Sequence, residues 1–301
     1  MSTFKHFFDL TRENFQAEKF ENAKNSMISA IKSHGSENFY ELLDLLEILV
    51  KIEEREGVFW SGNAESFSQY ILDGVRENKD YDYSYYDSRI EILRAYALIK
   101  QPKFNVETLD KKLIDEIAKI VNGLMFAVEY FRGMERHFEA MMAQIYFCVL
   151  NYRLEELDGV KHESSVVNFA VLINDMAKYI NDLSDEIETI ESVQEFWDEE
   201  FEQGPFFGTE DEIQVLAFED FERVMCEMQR QAFFVRVNYL VILAKVGFWN
   251  LAEVTATEIL KNFSFEGEFS EFEKFIELVA LGENGFKEAQ KEPIFAKFPF
   301  V

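Results

Sequence analysis

The sequence predicts an all-α protein built as an array of antiparallel helical hairpins. Apolar residues recur at helical spacing over long stretches, as in Leu109, Leu113 and Ile117. Only 4 prolines occur in the 301 residues, and none lies between Lys103 and Gly204. Long helices need such stretches, because an interior proline costs about 3 kcal/mol. Long runs of alternating apolar and polar residues, which are typical of half-buried strands, are missing from the sequence.

The N-terminal half is expected to form seven helices joined by short connections. Their expected positions are near residues 3–17, 18–33, 38–56, 63–78, 85–100, 106–131 and 133–156. Asn38 with Glu41 resembles a capping box at the start of the third helix. The segment Asp80–Asp87, which is rich in tyrosine and aspartate, is expected to be a loop between the fourth and fifth helices.

The C-terminal half is expected to add six helices, for a total between twelve and fourteen. Their expected positions are near residues 163–182, 185–203, 210–246, 250–262, 270–281 and 285–291. Capping boxes are expected where Thr209 precedes Glu212 and where Ser270 precedes Glu273, with a looser one at Asn250. Because all these connections are short, successive helices should lie antiparallel to one another.

We expect a single helical-array domain over residues 1–301. No Pro-, Gly- or Ser-rich linker divides the chain. Its clearest break is the sequence Gly-Pro-Phe-Phe-Gly at 204–208, so a subdivision would be expected there.

Three segments share a spacing of aromatic and small residues. They are Phe20-x2-Ala23-x3-Met27-x2-Ala30, Gly247-x-Trp249-x2-Ala252-x3-Ala256-x2-Ile259 and Gly285-Phe286-x2-Ala289. This spacing resembles the second helix of a tetratricopeptide repeat. The resemblance implies a solenoid of helical hairpins, in which the alanines let paired helices approach closely. A non-repeating helical bundle is the alternative.

The charge is strongly negative and unevenly distributed. The formal net charge is −27, and the 44 residues from Tyr179 to Glu222 hold 16 Asp and Glu but no Lys or Arg. Such a field attracts basic partners and repels nucleic acid and anionic lipid. The longest apolar stretch without charge, residues 140–152, is shorter than the roughly 20 residues that span a bilayer. We therefore expect a cytoplasmic protein that contacts neither membranes nor nucleic acid directly.

No residue pattern indicates a metal site, a cofactor or a nucleotide site, so we expect none of these and no catalytic residue. Cys148 lies in an apolar run and is expected to be a core residue. The one catalytic alternative is Arg132-x4-His137, which resembles the motif of HEPN ribonucleases. The resemblance implies that His137 acts as general acid or base while Arg132 stabilises charge on the phosphate.

Two surfaces are candidates for binding another protein. The first combines acidic side chains with aromatic anchors in one segment, namely Trp197, Asp198, Glu199, Glu200, Glu202, Phe206 and Phe207. The second is the tyrosine-rich loop, with Tyr81, Tyr83 and Tyr85 between aspartates. Tyrosine suits such surfaces because it offers a large contact area at low entropic cost. The apolar C-terminal segment 293–301 is expected to dock on the last helices of its own chain.

These features predict a non-enzymatic protein–protein interaction module, such as an adaptor, scaffold or chaperone. Its partner would be a basic protein or peptide, bound by the acidic and aromatic surfaces. A HEPN-type ribonuclease that uses Arg132 and His137 is one alternative. An acidic nucleic-acid mimic, which would block the basic groove of a DNA-binding protein, is another.

Overall fold

The computed structural model describes residues 3–34, 39–101, 111–157, 159, 162–201 and 210–300. It describes their side chains too, except those of residues 183, 185–223 and 268. This described part of the chain contains twelve α-helices and two short 3₁₀ helices but no strand, so the all-α prediction is confirmed. Two compact units divide the chain, residues 1–157 and residues 158–301. The break expected at 204–208 lies outside the described residues.

The described residues of the first unit form seven helices in two layers. They are α1 (Thr3–Gln16), α2 (Phe20–Ser33), α3 (Phe39–Arg55), α4 (Gly62–Glu77), α5 (Tyr83–Ile99), α6 (Lys111–Gly133) and α7 (His137–Leu157). Each helix packs against the next one in the chain. In addition α1 contacts α3, α3 contacts α5, and α5 contacts α7, so these four helices form one row. This order of contacts is compatible with a helical solenoid.

Apolar side chains from both layers of the first unit form its core. Fully buried members include Leu42, Leu45, Ile71 and Phe131. Cys148 is buried as predicted, and burial raises the pKa of its thiol, because the thiolate would be desolvated. The predicted structural role of this cysteine is therefore confirmed.

In the described part of the second unit there are five helices and two short 3₁₀ segments. The helices are α8 (Glu163–Phe201), α9 (Glu210–Val246), α10 (Trp249–Asn262), α11 (Glu273–Ala280) and α12 (Gly282–Ala289), and the 3₁₀ segments are Gly267–Phe269 and Pro293–Lys297. Each of these helices packs against the next one in the chain, and α10 also contacts α12. None of the helices in the described ranges combines the length and the apolar character that crossing a membrane requires.

Three local predictions for this unit were wrong. The expected break between residues 182 and 185 is absent, because α8 is continuous and its sequence contains neither Gly nor Pro. Asn250 does not cap α10, which begins one residue earlier, at Trp249. Ser270 does not cap α11, because its hydroxyl donates a hydrogen bond to the Gly267 carbonyl instead.

Small residues are buried on the helices whose close pairing the sequence predicts. Ala23, Ala30, Ala252 and Ala256 are all fully buried, in agreement with the close approach expected from their spacing. Gly285 provides the tightest case. A Cβ atom at this position would lie only 2.0 Å from the carbonyl oxygen of Leu278. The α11–α12 pair therefore needs glycine at position 285.

Candidate protein-binding surface

A carboxylate at the start of α5 positions the tyrosine-rich segment. Asp82 is the N-cap residue, and its side chain accepts a hydrogen bond from the Ser84 backbone N–H at 2.9 Å. Because a capped helix can begin at the next residue, α5 starts at Tyr83, two residues before the predicted start. Tyr83 and Tyr85 therefore lie in the first turn of a helix. The prediction that the whole segment is a loop was wrong.

The structure brings together Tyr81 and Tyr85, which are two of the three predicted tyrosines. Both rings contact Tyr40, a residue that the sequence analysis did not single out. Tyr40, in the first turn of α3, lies 6.0 Å from Tyr81 and 5.5 Å from Tyr85, measured between ring centroids. It is 53% exposed, whereas Tyr81 and Tyr85 are half-buried. Such tilted and edge-on pairs are the favoured geometry of aromatic rings.

Tyr83 makes a different contact. Its hydroxyl accepts a hydrogen bond from Arg76 at 3.0 Å, and the guanidinium of Arg76 lies 5.0 Å from the centre of its ring. Tyr83 is thus anchored to α4 by a cation–π contact.

Helix α6 and the turn that follows it extend this surface. The hydroxyl of Tyr130 donates a hydrogen bond to Asp82 at 2.5 Å, and burial together with this carboxylate raises the pKa of Tyr130. Arg136 places its guanidinium 4.7 Å from the centre of the Tyr85 ring. We call Tyr40, Tyr81, Tyr85, Tyr130 and Arg136 the tyrosine surface.

A buried ring supports the tyrosine surface from below. Tyr86 is fully buried, and its ring contacts those of Tyr40, Tyr81 and Tyr85 at distances of 5.2 to 5.9 Å. Desolvation by burial is the largest cause of the raised pKa of its hydroxyl. The rings of Tyr40, Tyr81 and Tyr85 thus all contact one buried aromatic ring.

Sequence reasoning missed Tyr40, Tyr130 and Arg136. For Tyr130 the sequence did contain a usable signal, because Tyr130 follows Phe126 by four residues and the two therefore share one helix face. In the structure their rings stack with centroids 6.2 Å apart. The sequence contained no such signal for Tyr40, because its ring contacts lie about forty positions away in the sequence. Such pairs become visible only once the helices are packed.

The first predicted surface cannot be placed. Glu202, Phe206 and Phe207 lie outside the described residues, and so do the side chains of residues 197–200, although α8 runs to Phe201. That surface remains a prediction.

The predicted Arg132 and His137 pair flanks the turn between α6 and α7. Both residues are exposed, and His137 is the first residue of α7. Arg132 donates a hydrogen bond from Nη2 to the Gln144 side-chain oxygen at 2.6 Å. This hydrogen bond links α6 to α7.

A charged cleft of about 1070 Å³ lies on the same unit, beside α5 and α6. Arg94 binds Glu91 at 2.6 Å and Glu65 at 3.1 Å, and its guanidinium lies 5.3 Å from the centre of the Trp60 ring. Asp87 also lines the cleft, and burial raises the pKa of its carboxyl more than Arg94 and Arg76 lower it. The ionised Asp87 carboxylate is therefore unfavourably placed in the folded protein.

Replacing Asp87 with asparagine is expected to raise the free energy of unfolding at pH 7. In the folded protein the pKa of Asp87 lies above its usual value of 3.8. The free energy of unfolding therefore decreases as the pH rises from 3.8 through the pKa of the folded state. The stabilisation by Asp87→Asn should therefore be largest at neutral pH and shrink as the pH falls towards 3.8. Urea unfolding at several pH values measures it, with exposed Asp80→Asn as the control. An Asp87→Asn protein that is less stable at pH 7 would contradict this expectation.

The described residues contain no group of three or more His, Cys, Asp or Glu side chains that could hold a metal ion. The tyrosine surface combines aromatic rings with a guanidinium group, and the exposed carboxylate of Asp82 lies at its edge. Comparisons with protein families, with curated proteins and with solved structures gave no match to this chain.

Proposed function

We propose that this chain is a non-enzymatic protein–protein interaction module that binds a basic partner through the tyrosine surface. The observation that carries the proposal is the half-exposed Tyr40 ring, which is held in place by Tyr81, Tyr85 and buried Tyr86. Tyr and Arg are the residue types enriched at the centres of protein interfaces. Because the rings are already ordered, a partner would lose little side-chain entropy on binding them.

Three observations support a basic partner. The guanidinium groups of Arg136 and Arg76 already lie on the rings of Tyr85 and Tyr83, so the tyrosines of this region accept cations. Asp82, at the edge of the surface, is exposed. The whole chain carries a net charge of −27, which accelerates encounters with positive partners.

The proposed module is of the tetratricopeptide-like kind. The buried alanines of α2 and α10 and the close approach at Gly285 support this proposal, because repeat hairpins need small residues between their helices. Stacked hairpins of this kind present extended surfaces for peptides and helices.

Photo-cross-linking tests the proposal. A benzophenone amino acid replaces Tyr40 in the full chain, and the protein is irradiated in native lysate. The matched control carries the same amino acid at Tyr70, which is 44% exposed on α4 and is not part of the tyrosine surface. We expect position 40 to cross-link a basic protein that position 70 does not capture. Equal products from both positions, or none from position 40, would refute the proposal.

A salt series and a charge variant separate the two predicted surfaces. If the partner is held by charge, its capture should fall steeply as the salt concentration rises from about 0.05 to about 0.5 M, because the Debye length shortens. Replacing Asp198, Glu199, Glu200 and Glu202 with amides then tests the acidic segment. Unchanged capture by this variant would assign recognition to the tyrosine surface alone.

A further inference from the structure

The C-terminal segment 293–300 packs against other helices of its own chain, as the sequence predicted. Its contacts include α9 and α11. Asn238 holds the backbone of Phe300 by two hydrogen bonds. Its side-chain N–H donates to the Phe300 carbonyl at 2.7 Å, and its side-chain oxygen accepts from the Phe300 N–H at 2.8 Å. Asn238 is only 1% exposed. One buried amide on a helix thus binds both polar backbone groups of one residue in the segment.

Two of the three phenylalanines of the segment, Phe298 and Phe300, are buried beside this contact. Phe300 is 4% exposed and lies 5.0 Å from Phe272 and 6.3 Å from Phe275, between ring centroids. Phe298 is also buried, and the Lys245 ammonium lies 5.0 Å from the centre of its ring. The surface therefore provides a backbone contact and an aromatic site for Phe300. For Phe298 it provides a cation–π contact, and the other ring contacts of Phe298 are with Phe295 and Phe300 of the segment itself.

This combination has the properties of a peptide-binding site. A side-chain amide that pairs with a backbone N–H and C=O recognises an extended peptide whatever its sequence, while apolar sites for alternate side chains give specificity. Asn238 would otherwise be a costly residue at this position, because a buried amide without partners loses its hydrogen bonds to water.

We propose that the groove formed by Asn238, Lys245, Phe272 and Phe275 binds extended peptide segments that carry two phenylalanines separated by one residue. The chain's own Phe298–Phe300 segment occupies this groove as a tethered ligand. A partner segment of the same chemistry enters when the tethered one leaves. This site belongs to the second unit and does not depend on the tyrosine surface.

The tether determines how strongly a free peptide can bind. A covalently attached ligand has an effective concentration on the order of millimolar. The groove is then vacant in only a small fraction of the molecules. The apparent affinity for a free peptide equals the affinity of the vacant groove multiplied by that small fraction. Weakening the tethered segment should therefore strengthen the binding of a peptide in solution.

Fluorescence polarisation with a labelled peptide of residues 297–301, Lys-Phe-Pro-Phe-Val, tests this proposal. The chain of residues 1–301 with Phe298→Ser and Phe300→Ser is compared with the unsubstituted chain. We expect the double variant to bind the peptide at least about tenfold more tightly, because its own segment no longer competes. Adding Asn238→Leu should abolish this binding, and a peptide with both phenylalanines replaced by serine should not bind. A folded double variant that does not bind the peptide would overturn the proposal.

Hydrogen exchange on the unsubstituted chain provides a second test that does not depend on any variant. A tethered ligand must leave its groove while the helices beneath it stay folded. The Phe300 amide should therefore exchange through a local opening, much faster than the buried amides of α9 around Leu240. If the Phe300 amide exchanges only as slowly as those of α9, the segment is a fixed part of the fold, and the proposal fails.

Discussion

Replacing Phe233 with alanine is expected to lower the free energy of unfolding of the second unit by about 3–5 kcal/mol. Phe233 is fully buried in α9, and its ring contacts those of five other phenylalanines, the closest being Phe269 at 4.3 Å between centroids. The substitution removes these contacts and leaves a cavity that helices on several sides cannot fill. Urea unfolding followed by circular dichroism measures the loss.

The matched control for this prediction is Phe248→Ala. Phe248 has the same side chain but is 47% exposed, directly before α10. Its removal should change the free energy of unfolding by about 0.5 kcal/mol or less, as is usual for surface positions. Similar losses for the two variants would show that Phe233 is not at the centre of the core.

Replacing Gly285 with alanine should have the second large effect, about 3 kcal/mol of destabilisation, because overpacking forces backbone shifts. The added methyl group would lie 2.0 Å from the Leu278 carbonyl oxygen and 2.7 Å from the Leu281 Cβ. Both obstacles are close to the backbone of the α11–α12 turn, so no side chain can simply rotate away. The helices would have to separate. Thermal and urea unfolding of the variant measure the cost.

Gly62→Ala provides the comparison for this substitution. Gly62 is the first residue of α4, and a Cβ atom there would meet no other atom within 4 Å. The change should alter stability by about 0.5 kcal/mol or less, and it can be favourable because alanine has the higher helix propensity. If Gly285→Ala were as mild as Gly62→Ala, the close approach of α11 and α12 would be refuted.

The sequence predicted the helices well because their signals are local. Apolar spacing and the scarcity of proline depend only on neighbouring residues, and they correctly predicted an all-α chain. Helix starts were harder to predict. Asp82 caps α5, and Ser61 accepts hydrogen bonds from two backbone N–H groups at the start of α4, yet neither was singled out. Ser270 was singled out wrongly, since its sequence fits a cap but its hydroxyl binds Gly267.

The candidate site was predicted only in part, for a physical reason. Tyr81 and Tyr85 could be selected because tyrosines and aspartates cluster in one short segment. Tyr40, Tyr130 and Arg136 come from three other positions in the chain, and only helix packing places them beside that segment. The backbone contact of Asn238 with Phe300 joins residues 62 positions apart, so no local pattern could indicate it.

The most direct test of the proposed function is the dissociation constant of the cross-linked partner, measured by titration calorimetry with purified proteins. The Tyr40→Ser chain is compared with the matched Tyr70→Ser chain, after circular dichroism has shown that both are folded. The tyrosine surface predicts that Tyr40→Ser weakens binding at least about tenfold, the size of a hot-spot loss, while Tyr70→Ser leaves it unchanged. Equal dissociation constants for the two variants would contradict the role of the tyrosine surface.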